Sequence, residues 1–127
     1  MSDWQIEDIP DSDHLFMRIH ARTWARDGVL SPGAFRNHDG GMSTDWDKYS
    51  TAAETRARGR KPPEEYWVVS MNVGEVKEVP GQTVDHSPLP DNRAHTDVRG
   101  EKDEEARVKL RRLSLTVIPP AQDSSTN

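Results

Sequence analysis

The sequence has no cysteine, and three common explanations of a small domain go with it: a disulfide framework, a zinc-thiolate site and a thiol nucleophile. Apolar residues are also scarce. At 32% they fall well below the roughly 45–50% of ordinary globular domains, a scale that also counts Gly, so the core must be small. No stretch approaches the roughly 20 apolar residues that span a bilayer, and Met1 to Pro10 is acidic with no basic region before an apolar run. The expected compartment is the cytoplasm, without membrane contact. Basic charge is in deficit too. Against 22 Asp and Glu stand 17 Lys and Arg, a formal charge of −5, which gives the molecule as a whole no pull towards nucleic acid. The Walker phosphate loop, the Gly-x-Gly-x-x-Gly fingerprint and the Gly-x-Ser-x-Gly elbow are all missing, and no cofactor is expected.

What is present reads as one domain. A chain of 127 residues matches the roughly 100–150 that one core serves, and its four Trp, two Tyr and two Phe are dispersed in apolar company. The expected fold is α+β: a small mixed or antiparallel sheet with two helices on it, over residues 14–118. An acidic arm, 1–13, precedes it, and a polar, disordered tail, 119–127, follows. His14 to His20 alternates as a strand, with Phe16 and Arg18 on one face and Leu15, Met17 and Ile19 on the other. Thr51-Ala52-Ala53-Glu54 fits a capping box opening a helix that ends near Gly59, and Glu101 to Leu113 places acids in its first turn and bases in its last. Tyr66 to Met71 is the most convincing strand, expected to be central. Val73, Val76 and Val79 are read as a further strand that Pro80-Gly81 turns back towards Gln82 to His86, forming a hairpin. Arg93 to Val98 and Leu115 to Ile118 are short strands.

Five histidines, at 14, 20, 38, 86 and 95, are the residues whose chemistry matters most near neutral pH, although their spacing matches no metal motif. His20 with His95, with Arg18 or Arg93 to hold an anionic oxygen and Ser43 as a further site residue, would suit general acid–base cleavage of a phosphodiester if the side chains converged. The plainer alternative is that each histidine ends a strand or sits in a polar loop. Asp39, Asp45 and Asp47 lack a calcium-loop pattern and read as solvated carboxylates; no metal site is expected. Arg56, Arg58, Arg60 and Lys61 read as a solvated helix end. Trp24 and Trp46 fall in segments that read as loops, which suits either an interaction surface or lids on a small core.

The segments Leu15 to His20, Leu30 to Phe35, Met42 to Asp45 and Asn92 to Gly100 resemble a family of small bacterial hypothetical proteins. That resemblance implies a bacterial or phage origin and a compact domain, and it supplies no catalytic residue. A second likeness is to ADP-ribosyltransferase-type domains, in which an early strand ends in Arg or His, a Gly turn follows, and a Ser-Thr segment flanks the nicotinamide pocket. Arg18, His20, Gly28 and Ser43-Thr44 stand in that order here, but the later catalytic acid has no assigned counterpart. Two functions follow as expectations. The first is an accessory protein that binds a protein partner through Phe35, His38, Trp46, Asn92, Arg93 and Asp97. The second is a toxin-like enzyme acting on a nucleotide or RNA, by phosphodiester cleavage or ADP-ribosyl transfer, with Arg18, His20, Ser43 and His95 as its site.

Overall fold

The computed structural model describes residues 4–121. Six strands, β1 (His14–His20), β4 (Met42–Trp46), β5 (Tyr66–Asn72), β6 (Thr83–His86), β7 (His95–Arg99) and β8 (Leu115–Ile118), form one sheet in the order β6-β7-β4-β1-β5-β8. Every pair in it is antiparallel. A two-stranded ribbon, β2 (Ala25–Arg26) with β3 (Val29–Leu30), lies outside it. The two helices expected, α2 (Ala52–Ala57) and α4 (Glu104–Leu113), are joined by two short ones, α1 (Ala21–Trp24) and α3 (Val73–Glu78). Among the described residues no helix is long and apolar enough to cross a membrane.

Alternation in β1 sets the architecture. Leu15, Met17 and Ile19 point into the core, while Phe16, Arg18 and His20 point outward. Because directly opposed residues of paired strands share a face, the core layer continues through Met42 and Trp46 of β4, Val69 and Met71 of β5, and Val98 of β7. Val73 and Val76 of α3, Ala106 and Leu110 of α4, and Phe35 close it from the other side. The helix α4 forms as its charge pattern indicated, with Asp103 accepting from the Ala106 N–H at 2.9 Å and Arg111 and Arg112 in the last turn.

Four readings need correction. Residues 73–78 are a helix and not the first strand of a hairpin: the Asn72 side chain accepts the Glu75 N–H at 2.9 Å, and the three-residue spacing of Val73 and Val76 buries both on one side of a turn. The strand β6 pairs instead with β7. Trp46 belongs to a core strand, and with 1% of its surface exposed it is no loop residue. Asp45 is buried, not solvated, because Arg58 reaches its Oδ2 at 2.7 Å. By the same bond, Arg58 is not simply part of a solvated helix end. Trp24 is half-buried against the core as a lid.

The acidic segment packs on the sheet from Trp4 onwards. Ile9 is buried, Asp11 carbonyl accepts from the Gly74 N–H at 3.0 Å, and Asp13 accepts from Trp46 Nε1 at 2.9 Å. Residues 122–127 of the expected tail lie outside the described residues.

Candidate functional site

The outer face of the sheet has two unlike halves. Over β1, β5 and β8 lies α2, begun by the capping box in which Thr51 and Glu54 exchange side-chain bonds with each other's N–H at 3.1 and 2.9 Å. Beneath it Val68 and Tyr66 are buried. Polar bonds fasten the helix down: Arg18 donates to the Thr55 carbonyl at 2.7 Å, and Thr55 Oγ1 donates to Asp45 Oδ2 at 2.8 Å. Arg58 bridges Asp45 and Ser50, and Asn92 Nδ2 donates to Asp45 Oδ1 at 2.8 Å. Asp45 thereby joins β4, α2 and the 87–94 loop.

Across β4, β7 and β6 the outer face leaves Ser43, Thr83, Asp85 and Arg99 exposed, with His95, Asp97 and Ser87 half-buried between them. The register places Asp97 opposite Ser43 and His95 opposite Asp45. Ser43 Oγ is 3.3 Å from His95 Nε2. On the other side of the ring, Nδ1 lies 2.9 Å from the Ser87 carbonyl and 3.1 Å from Ser87 Oγ, which donates to Asp97 Oδ2 at 2.8 Å. A carbonyl only accepts and the Ser87 hydroxyl is directed to Asp97, which favours the proton on Nδ1 and, in the neutral ring, turns the Nε2 lone pair to Ser43. Arg99 pairs with both Asp97 and Asp85 at 3.3 Å.

The rim of this half is fixed by a lysine that the sequence reading overlooked. Lys102 is buried, and its Nζ donates to Asn37 Oδ1, to the Val98 carbonyl at 2.8 Å and to the Gly100 carbonyl at 3.1 Å. Burial pushes this ammonium down to about 8, with Asp97 pulling the other way. Beside it runs the tight turn from His38 to Gly41, where Asp39 and Gly40 have positive φ and His38 is exposed. A Cβ on Gly41 would lie 2.8 Å from Asp97 Cβ, so glycine lets the turn rest against β7.

The other candidate residues are dispersed. From the register, His20 lies four residues along and two strands across from His95, about 16 Å away. His20 Nε2 bonds Glu65 at 2.9 Å, which with Arg22 holds that carboxyl below the usual range, and Arg18 lies over the Tyr66 ring. The enzyme constellation therefore reduces to Ser43 and His95. Phe35 and Trp46 fill the core and offer no ring to a partner. Arg93 turns to the N-terminal segment, over the rings of Tyr49 and Trp4 at 4.0 and 4.9 Å.

His86 belongs to a separate, closed arrangement. Its Nδ1 accepts the Glu7 N–H at 3.0 Å, its Nε2 lies 2.7 Å from the Arg93 carbonyl, and Trp46 and Tyr49 enclose the ring. Hydrogen bonds from Lys48 and then Tyr49 hold the Glu7 carboxyl below its usual range. Neither this pairing nor that of Lys102 with Asn37 carries a local sequence signal, since these side-chain partners are remote in the chain. Two surface depressions flank α4 around Glu105 and Lys109, and neither reaches Ser43 or His95. Among the described residues no three His, Asp or Glu side chains are grouped as metal ligands. Comparison with family models, curated proteins and solved structures gives no match.

Proposed function

We propose that the protein is a binding module that takes a protein partner on the open half of the sheet, with Ser43, Asn92, His95, Asp97 and Arg99 at the contact. The observation that carries this reading is the asymmetry of the outer face. One half is covered by α2, whereas the other presents a rigid strand surface whose hydroxyl, imidazole, carboxylate and guanidinium groups bond to one another. Such a surface offers donors and acceptors in fixed positions without a large ordering cost, which favours specific polar recognition. Recognition through Phe35 and Trp46 has no support, since both are buried.

Cleavage or transfer on a nucleotide is less well supported. Arg18 and His20 are engaged elsewhere, and the charged groups opposite Ser43 and His95 are the carboxylates of Asp97 and Asp45. A polyanion would meet the Asp97 carboxylate, since Asp45 is buried and paired with Arg58. Photo-crosslinking residues placed at Ser43, Arg99 and, as a control, Glu104 on α4 test the binding reading in host extract. One polypeptide captured from positions 43 and 99 but not 104 is expected. Equal capture from all three, or none, refutes it.

A further inference from the structure

We propose that Ser43 and His95 form a nucleophile–base pair that accepts acyl groups from small neutral carboxylic esters. The inference concerns the protein without a docked partner, since a partner on this face would cover the same hydroxyl. Its basis is a directional chain of hydrogen bonds. Ser87 Oγ donates to Asp97, His95 Nδ1–H donates to Ser87, and the remaining lone pair of Nε2 faces Ser43 Oγ at 3.3 Å. A serine beside a base that a third group orients is the general arrangement of an activated hydroxyl, and the spacing in an unliganded site is commonly looser than in the reacting complex. The Ser87 carbonyl has no proton to give and the Ser87 hydroxyl is directed to Asp97, so this arrangement favours the proton on Nδ1. Ser43 is exposed, so an ester carbonyl can reach its oxygen.

The electrostatic setting selects the substrate class. Asp97 stands opposite Ser43 in the register, and Asp45 stands opposite His95. The arginines of this face are held by other groups: Arg99 by Asp97 and Asp85, Arg58 by Asp45, and Arg18 by the Thr55 carbonyl. A phosphodiester would bring negative charge against the Asp97 carboxylate with no arginine of this face left to meet it, Asp45 being buried against Arg58. A neutral ester brings none.

In the forward step Ser43 Oγ bonds to the carbonyl carbon while its proton passes to His95 Nε2. The ester C–O bond then breaks, its electron pair leaves on the alcohol oxygen, and that oxygen takes the proton from Nε2. Water completes the cycle by the same route: it attacks the acyl carbon, gives a proton to Nε2, and Ser43 Oγ recovers it as the acid departs. No oxidant or further reactant is needed.

The test uses the full chain with 4-nitrophenyl acetate. Acid quenching and peptide mass mapping locate acetyl groups, and absorbance follows nitrophenolate release. Acetylation concentrated on Ser43, abolished there in Ser43→Ala and slowed about 100-fold in His95→Gln, is expected from the usual strength of general-base assistance. Acetyl groups found only on lysines or on other hydroxyls, or a Ser43 rate unchanged in His95→Gln, overturn the proposal. Circular dichroism establishes whether His95→Gln stays folded. If it does not, the pH profile of the parent protein decides: Ser43 acetylation that rises as an imidazole loses its proton supports the pair, and a flat profile refutes it.

Discussion

The covered and open halves of the sheet's outer face are built from similar residues and use them differently. Under α2, Arg18, Asp45, Thr55 and Arg58 join separate elements, so each polar group also serves as a structural tie. In the open half, Ser43, His95, Ser87, Asp97 and Arg99 lie on or beside the paired strands β4, β7 and β6, which their backbone ladders already hold together. A polar residue type therefore does not declare its role. What matters is whether its partner belongs to another part of the fold.

That difference can be tested by substitution. Trp46→Ala sets the scale, since emptying a wholly buried Trp site costs about 3–5 kcal/mol, and chemical denaturation should record a loss of that size. A loss below about 1 kcal/mol would return Trp46 to the surface role expected from sequence. Next comes Asp45→Asn, which leaves Arg58 without its carboxylate. Buried pairs broken on one side cost about 3–5 kcal/mol, and the partial exposure of Arg58 lowers the expectation to about 2–3 kcal/mol by the same measurement.

Lys102 gives a pH test at the rim of the open half. Its unfolded form keeps its proton up to about 10.5, while the folded form releases it near 8, so between these values the unfolded state binds more protons and stability rises with pH. The rise is bounded by the roughly 3 kcal/mol to which such a shift corresponds. Denaturation midpoints from pH 7 to 10.5 should show the rise in the parent protein and not in Lys102→Gln. The smallest effects belong to Ser43→Ala and Arg99→Ala, each within about 0.5 kcal/mol, as for exposed groups outside a structural tie. A loss comparable to Asp45→Asn at either position would erase the distinction between the halves.

The sequence was legible where a signal was local. The alternation of β1, the aromatic and β-branched run of β5, the Thr51–Glu54 box and the charge gradient of α4 all lie within a few residues. Residues 73–78 carried the helical three-residue spacing of their valines, but the nearby Pro80-Gly81 turn pointed to a hairpin. Trp46 shares parity with Met42 across β4, a usable sign of an inward side chain that the surrounding polar residues masked. Asp45, His86 and Lys102 were not legible. Their burial depends on Arg58, Asn92, Glu7 and Asn37, brought in by tertiary structure. Of the candidate site, Ser43 and His95 could be named from sequence, but their meeting follows from the β4–β7 register.

The strand order also bears on how the chain folds. The two innermost strands, β1 and β4, emerge first yet share only two paired positions, Leu15 with Trp46 and Phe16 with Asp45. Their main partners, β5 and β7, arrive later, and each pairing closes a loop of roughly fifty residues before the contacts offset its entropy. A nascent chain that stops short of Tyr66 leaves Leu15, Met17 and Ile19 without their β5 partners, and Met42 still waits for Val98 of β7. Folding should wait for β5 and run slowly for a chain of this length, with the inner strands open to chaperones or to premature association until then.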